Sequence, residues 1–496
     1  MPRRAIFALP LLAIAIAACA GGATAGPSGT VGPSGTPAPA TPAASEAATG
    51  VPSAVPSPGT DGDPAAIGRQ VVGGMARGDF AGVEALFDET MRTALPEAKL
   101  KELWDSLVGQ LGAYQGTGDV KTAVQDPYTI VLVRTDFASG PVNIQVTVHS
   151  AGRVAGLFVR PVEAASPAPG ASPTPSPSPA AYVRSDAFHE SDVTVGTAPW
   201  ALPGTLSMPN GAGPFPAVVL VHGSGPNDRD ETVGPNKPFR DLAQGLASQG
   251  IAVLRYDKRT KVYGEQMAAG AASVTVKEET VDDAVAAVEL LRSTPGVDPQ
   301  AIFVLGHSLG GYLGPRILAA APDARGLIIL AGTSRPLPEV IVDQYEYLAA
   351  LQGSPSPDTL AQLDTIREQA ARAMSPDLSP ATPADQLPLG VPAPYWIDLG
   401  TYDPLATVAT LDRPVLVLQG GRDYQVTAAA DFAGWQQALS GRRNATYHLY
   451  PALNHLFIAG QGQIAPAEYL VAGHVAPEVV ADIAGWIHGI AGGGAP

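Results

Sequence analysis

Apolar positions along this chain fall into two regimes, set apart by stretches with no periodicity at all. From Ala20 to about Pro64 nearly every residue is Ala, Gly, Pro, Ser, Thr or Val, and from Ala164 to Ala181 Pro and Ser dominate. Neither stretch can bury a core. Both read as linkers, the first flexible and the second, with Pro173-Thr174-Pro175-Ser176-Pro177-Ser178-Pro179, stiffer and more extended. The first regime lies between them, over residues 65–163. It opens with helical spacing at Ile67, Val71 and Met75, then Val83, Leu86 and Phe87, then Leu100, Leu103, Trp104, Leu107 and Leu111. Strand-like alternation follows over Thr129 to Arg134, Val142 to His149 and Arg153 to Val159. The order predicts a small α+β domain with helices on one face of an antiparallel sheet. It carries no cluster of nucleophile, base or metal ligands.

The second regime, residues 182–494, alternates short apolar runs with helical stretches. Val193 to Gly196 and Thr205 to Met208 read as an opening hairpin. Ala217 to Val221, Ala252 to Tyr256, Ile302 to Leu305, Leu327 to Leu330, Val415 to Leu418 and Tyr447 to Tyr450 read as buried strands. Continuous apolar strands are expected where helices cover both faces of a mostly parallel sheet, here of eight strands. Helices are predicted over Phe239 to Ser248, Thr280 to Arg292, Leu313 to Ala320 and around Val479 to Ile487.

Charge narrows the partners. The 496 residues carry a formal net charge of −16, which disfavours nucleic acid because phosphate binding needs a surplus of Lys and Arg. The single cysteine, Cys19, matters through its position. Arg3 and Arg4 precede an apolar run from Ile6 to Ala18, the layout of an export signal over residues 1–18, and the run is too short for a membrane span. With one cysteine, no disulfide can form within the chain. Ile16-Ala17-Ala18-Cys19 resembles the lipobox of bacterial lipoproteins, which implies cleavage before Cys19, lipid on that residue, and an exported protein held at the outer face of the cell membrane. An ordinary signal peptide cut nearby is the alternative. Residues 19–64 would then be a spacer.

The candidate chemistry centres on Gly306-His307-Ser308-Leu309-Gly310. In a chain with 55 glycines the bare G-x-S-x-G pattern arises by chance about 0.3 times, so context decides. The pattern follows the apolar run Ala301 to Leu305 and precedes a helix, the strand-turn-helix setting of a nucleophile elbow. Glycine is needed at 306 and 310 because side chains there would meet neighbouring backbone. A serine hydroxyl needs a base, and His455, in the loop after the last strand, is placed for it, with His448, His474 and His488 as rivals. A carboxylate must hold the imidazole. Asp423, in the turn after Pro414 to Gln419, completes the order Ser308, Asp423, His455, with Asp398 and Asp403 as rivals. Backbone N–H groups of Leu309 and of Ser224, in His222-Gly223-Ser224-Gly225, are the candidate oxyanion donors, unless that run is merely a tight turn.

These residues sit in a wider set: His222-Gly223-Ser224-Gly225-Pro226, Asp228-Arg229-Asp230, Arg255-Tyr256-Asp257-Lys258-Arg259, Gly306 to Gly311, Tyr395-Trp396, and Gly421-Arg422-Asp423-Tyr424-Gln425-Val426-Thr427. The set resembles the bacterial serine carboxylesterases related to dienelactone hydrolases and acyl-aminoacyl peptidases, over about residues 180–490. The resemblance implies an α/β-hydrolase fold and cleavage of a small-molecule carboxylic ester through an acyl-enzyme, with no metal or organic cofactor. Thioester or aminoacyl-peptide cleavage is the alternative on the same residues, and a catalytically silent surface-binding protein is the alternative outside enzymes. Thr260-Lys261-Val262-Tyr263-Gly264 departs from the glycine-rich turn the family pattern suggests. Residues 334–410 form an insertion expected to act as a lid, with helices over Val340 to Leu351 and Thr359 to Ala373; its apolar residues either shape an acyl pocket or pack the lid down. The first domain resembles the small NTF2-like or cystatin-like domains found ahead of some bacterial hydrolases.

Overall fold

The computed structural model describes residues 63–161 and 178–493, apart from 126, 139, 271–273, 352 and 356. Cys19, the leader, the spacer up to residue 62 and most of the Pro/Ser stretch lie outside the described residues. The chain divides into two compact units.

In the first unit, helices Pro64–Arg77, Phe80–Glu84, Glu89–Ala94 and Glu97–Leu111 precede a sheet. Asp63, Asp79 and Asp88 cap the first three, each carboxylate accepting a backbone N–H of the first turn. Strands β1 (Tyr114–Gln125), β2 (Tyr128–Phe137), β3 (Gly140–His149) and β4 (Val154–Pro161) pair antiparallel in sequence order. Val71, Val72, Met75, Phe87 and Leu100 pack on Val131, Val133 and Val146. The apolar pattern did not announce β1. It is an edge strand with Gly116, Gly118, Asp119 and Lys121, shifts register twice against β2, and buries almost none of its side chains.

The second unit is built on β5 (Phe188–Val195), β6 (Leu202–Pro209), β7 (Phe215–Val221), β8 (Ala252–Tyr256), β9 (Val297–His307), β10 (Gly326–Leu330), β11 (Val415–Gly420) and β12 (Ala445–Tyr450). Their order is β12-β11-β10-β9-β7-β8-β6-β5. β5 and β6 form an antiparallel hairpin, β6 meets β8 antiparallel, and the remaining pairs are parallel. This is an α/β-hydrolase fold. Alternation within single strands serves both faces: Val219 and Val221 join a core with Leu313, Val417 and Trp435, whereas Val218 and Leu220 join one with Phe239, Ile483 and Ile487. The last linker residues belong to this unit. Ala180 is buried and the Tyr182 hydroxyl donates to the Val475 carbonyl at 2.9 Å.

Between β10 and β11 the insertion supplies helices Leu337–Ala350 and Pro357–Ala373, near the predicted spans, and two shorter ones, Ala393–Gly400 and Pro404–Ala409, too brief for periodicity to mark. Where the glycine-rich rim was expected, Arg259–Val262 forms a single helical turn. Among the described residues no helix is long and apolar enough to cross a membrane.

The tightest crossing lies at the end of β9. A Cβ on Gly306 would lie 2.1 Å from the Gly310 carbonyl oxygen. Because the obstacle is backbone, Gly306→Ala should destabilise the second unit by about 3 kcal/mol, the upper end for overpacking. Denaturant unfolding of the variant and the parent, followed through the tryptophans, measures the difference; an unchanged midpoint would mean that the helix can slide away from the strand at little cost.

Candidate active site

Ser308 stands between β9 and the helix Leu309–Ala320 with φ 52° and ψ −115°, a conformation that L-residues rarely adopt. Two features hold it there. Its N–H donates to the Leu330 carbonyl of β10 at 3.0 Å, and the helix rests on bare backbone: a Cβ on Gly310 would lie 2.3 Å from the Val221 carbonyl oxygen, and one on Gly311 would lie 2.8 Å from Gly332 Cα. Glycine at these places lets the strained turn approach β7 and β10 and lifts the hydroxyl to the rim of the sheet.

Asp423 and His455 arrive from neighbouring turns. The turn after β11 and the loop after β12 are joined by backbone bonds from Gly421 to Tyr450 and from Arg422 to Leu453. The Asp423 carboxylate is enclosed by donors: Gln425 N–H at 2.8 Å and Val426 N–H at 3.0 Å to Oδ1, Gln419 Nε2 at 3.0 Å and His455 Nδ1 at 2.7 Å to Oδ2. A carboxylate can only accept, so Nδ1 carries the proton and Nε2 is left as the basic nitrogen. Among the described residues Nε2 has no hydrogen-bond partner, although His455 is almost wholly buried.

One cavity of about 70 Å³ contains Ser308, His455 and both backbone-donor residues, Ser224 and Leu309. Leu309 heads its helix, so its N–H is among those a helix leaves without an internal acceptor. Ser224 follows Gly223, where a Cβ would lie 3.6 Å from Ser308 Oγ. The aliphatic wall is Leu337, Val340 and Ile341 of the insertion with Leu389, Val426 and Leu456. The insertion therefore does line the space over the serine. A nucleophile, a carboxylate-oriented imidazole and backbone N–H groups of two residues lining the same mostly apolar cavity are the equipment of acyl transfer.

The rivals lie elsewhere and are otherwise engaged. Asp398 pairs with Arg316, 2.9 Å away, and Asp403 caps helix Pro404–Ala409 by accepting from Leu405 and Ala406. His448 faces Asp482, His474 pairs with Asp241, and His488 Nε2 lies 2.8 Å from the Gln249 carbonyl.

Further groups around the site have roles that the sequence did not assign. Glu231, in the left-handed region at φ 51° and buried, accepts the Gly223 N–H at 2.6 Å. Its other oxygen lies 2.9 Å from His307 Nδ1, in charge contact but off the hydrogen-bond line. His307 Nε2 donates to the His455 carbonyl at 3.0 Å. Burial works against a charged His307, but the Glu231 carboxylate and the His455 carbonyl outweigh it and hold its pKa above the ordinary value. Burial likewise opposes the Glu231 anion, and His307 outweighs it, so that carboxyl stays below its usual range. The pair's contribution to stability is thus complete between the ordinary carboxylate and histidine titrations. It fades as pH rises through the raised His307 value or falls through the lowered Glu231 value. His222 differs: burial pushes it down to about 4, so the neutral ring donates from Nε2 to the Asp228 carbonyl at 3.0 Å. His222 and His307 stood in motifs of the sequence and Asp228-Arg229-Asp230 just before Glu231, but Glu231 itself did not stand out, and the fold supplies the contacts among them.

Comparison with known proteins places both units. Residues 69–157 match a family described as a protein of unknown function (DUF3887). Esterase EstD of Thermotoga maritima is 38% identical over 433 residues, covering 85% of this chain and 97% of EstD. Thiohydrolase aneE of Aspergillus aculeatus is 34% identical over 156 residues, 32% of this chain and 41% of that protein. Among solved structures, Est1E from Butyrivibrio proteoclasticus covers 61% of this chain and 99% of its own at 16% identity, with a TM-score of 0.38. Residues 218–467 match the model of the alpha/beta hydrolase family, and the chain belongs to that family.

Proposed function

We propose that this protein is a serine carboxylesterase working through an acyl-enzyme. His455 Nε2 takes the Ser308 proton as Oγ bonds to the ester carbonyl carbon, and the N–H groups of Ser224 and Leu309 receive the oxyanion. Collapse breaks the bond to the alcohol oxygen, which leaves with the proton from His455. Water then attacks the acyl-serine, giving its proton to His455, and the second collapse returns that proton to Ser308 as the carboxylic acid departs. The observation that carries this reading is the buried, Asp423-oriented His455 whose Nε2 is unpartnered in the cavity that holds Ser308. The relative EstD is described as an esterase, which favours esters over other acyl compounds.

The roles of Asp423, Asp398 and Asp403 separate by substitution. In Asp423→Asn the imidazolium formed during attack loses its counter-charge, and turnover of an activated ester should fall at least about 100-fold. Asp398→Asn and Asp403→Asn should stay within about threefold, since their partners are Arg316 and a helix end. Parental turnover in a folded Asp423→Asn would mean that the carboxylate is wrongly assigned.

Cavity size and lining set the substrate class. A cavity of about 70 Å³ suits a short acyl chain, and no Lys or Arg lines it to receive an anion. Across p-nitrophenyl esters kcat/KM should be highest from acetate to butyrate and at least about tenfold lower at octanoate. A rise toward octanoate would require a chain channel that the insertion opens, and faster turnover of the matching thioesters would move the assignment to thioester cleavage.

The leader reads as that of a lipoprotein, with Cys19 as the first mature residue and the membrane as a partner through its lipid. Acyl chains contribute about 0.8 kcal/mol per buried CH₂, so several on one cysteine give firm anchoring. Cys19→Ser should move the protein from the membrane to the soluble fraction on cell fractionation; equal membrane association would place the anchor elsewhere.

A further inference from the structure

The run Arg255 to Arg259 carries four charges, and each has a partner. Arg255 meets Asp230 and Glu190, Asp257 meets Arg229, Lys258 meets Glu279, and Arg259 meets Asp283. Lys258 alone of these also reaches the backbone beside the nucleophile. Its ammonium, almost wholly buried, donates to the Gly223 carbonyl at 2.9 Å and lies 3.0 Å from Glu279 Oε1. The other Glu279 oxygen accepts from the Tyr395 hydroxyl at 2.7 Å, which ties in the helix Ala393–Gly400 of the insertion. Glu279 sits in a single π-turn, Lys277–Val281, a local widening that recurs at functional sites.

The Gly223 carbonyl belongs to the same peptide unit as the Ser224 N–H. In a planar trans peptide the two bonds point in opposite directions, so whatever fixes the carbonyl also aims the N–H. We infer that Lys258 is a positioning residue for catalysis: its charge holds and polarises the Gly223–Ser224 peptide, making Ser224 N–H a stronger donor to the oxyanion, while Glu279 and Tyr395 hold Lys258 in place. A hydrogen bond to a carbonyl strengthens donation from the N–H of the same amide, and an ionised donor does so most. Asn227 Nδ2 also donates to the Gly223 carbonyl, at 3.2 Å, so the carbonyl is held from two sides but charged from one. The effect belongs to the transition state. Lys258 does not line the cavity and has no contact through which to bind a ground-state ester.

The inference rests on the proposed esterase reading and is tested apart from it. Removing Lys258 alone would strand a buried carboxylate, so the informative variant is Lys258→Met with Glu279→Gln, which removes both charges and leaves Tyr395 an amide oxygen to donate to. Turnover should fall about 10- to 100-fold with KM within about threefold, and a short trifluoromethyl ketone, whose Ser308 adduct carries an oxyanion, should weaken by the same factor. The matching carbinol, which forms no adduct, should bind as to the parent. A folded variant with parental turnover overturns the inference, as does a turnover loss that ketone affinity does not follow.

Should the double variant fail to fold, the unmodified protein still decides. Gly-Ser occurs twice in the sequence, at Gly223–Ser224 and at the exposed Gly353–Ser354. Carbonyl-carbon-13 glycine with nitrogen-15 serine therefore isolates two amide signals, one of them an internal reference. The Ser224 amide proton should lie downfield of the reference and move further downfield when the ketone binds. A Ser224 signal that does not move overturns the inference, and failure of the parent to bind the ketone or cleave esters overturns both readings.

Discussion

The site depends on one steric fact: strand β9 and the helix after it can meet only as bare backbone. Gly306 touches Gly310, Gly310 touches the Val221 carbonyl, and Gly311 touches Gly332, each at a distance that a methyl group would violate. That contact forces Ser308 to φ 52° and sets the hydroxyl at the carboxyl end of the sheet. The other parts are referred to this point. β7 delivers Gly223 beside the serine because β7 and β9 are neighbours, and β11 and β12 deliver Asp423 and His455 because they extend the parallel sheet beyond β10. Backbone strain of order 1–3 kcal/mol at one residue persists because two strands and a helix over-determine it.

Around that point the charges are arranged in compensating pairs. Glu231 fixes the turn by accepting the Gly223 N–H, yet an uncompensated anion there would oppose an oxyanion forming one residue away. His307 answers that charge and, through its other nitrogen, holds the carbonyl of His455. The residue before the nucleophile thus joins three segments far apart in sequence: the turn after β7, the elbow and the loop after β12. On the other side of the same turn Lys258 and Glu279 form the second pair. Both pairs are buried, and there the effective dielectric is lower and fixed charges act more strongly.

Legibility in the sequence followed locality. Parallel strands announced themselves as apolar runs, and Ala252–Tyr256 was readable to the residue. The elbow was legible because its glycines and serine are adjacent, and Asp423 and His455 because each follows a strand in a fixed chain order. β1 was not, since an exposed edge strand has no apolar face to reveal it. Helices Ala393–Gly400 and Pro404–Ala409 were not, being too short to show a period. Glu231 and Glu279 look like any surface charge along the chain, and Lys258 was marked only as part of the run Arg255 to Arg259, with no sign of its contact to Gly223. Their burial arises from the sheet order and from the π-turn, which no local pattern encodes, and the same is true of the Arg316–Asp398 pair that removes a rival carboxylate.

Burial of Lys258 and Glu279 is hard to explain as a stabilising device. Desolvating two ions costs several kcal/mol each, and their attraction with a few hydrogen bonds seldom does better than well-packed apolar residues of the same volume. Arg259–Asp283 and Arg335–Asp431 join segments of the same unit, so the fold had other means of fastening this region. What sets Lys258 apart is the peptide it touches. The preceding peptide offers no such role, because its N–H, that of Gly223, is already taken by Glu231. The cost becomes intelligible if the pair serves the developing charge, because a field fixed before the reaction needs no reorganisation when the oxyanion appears.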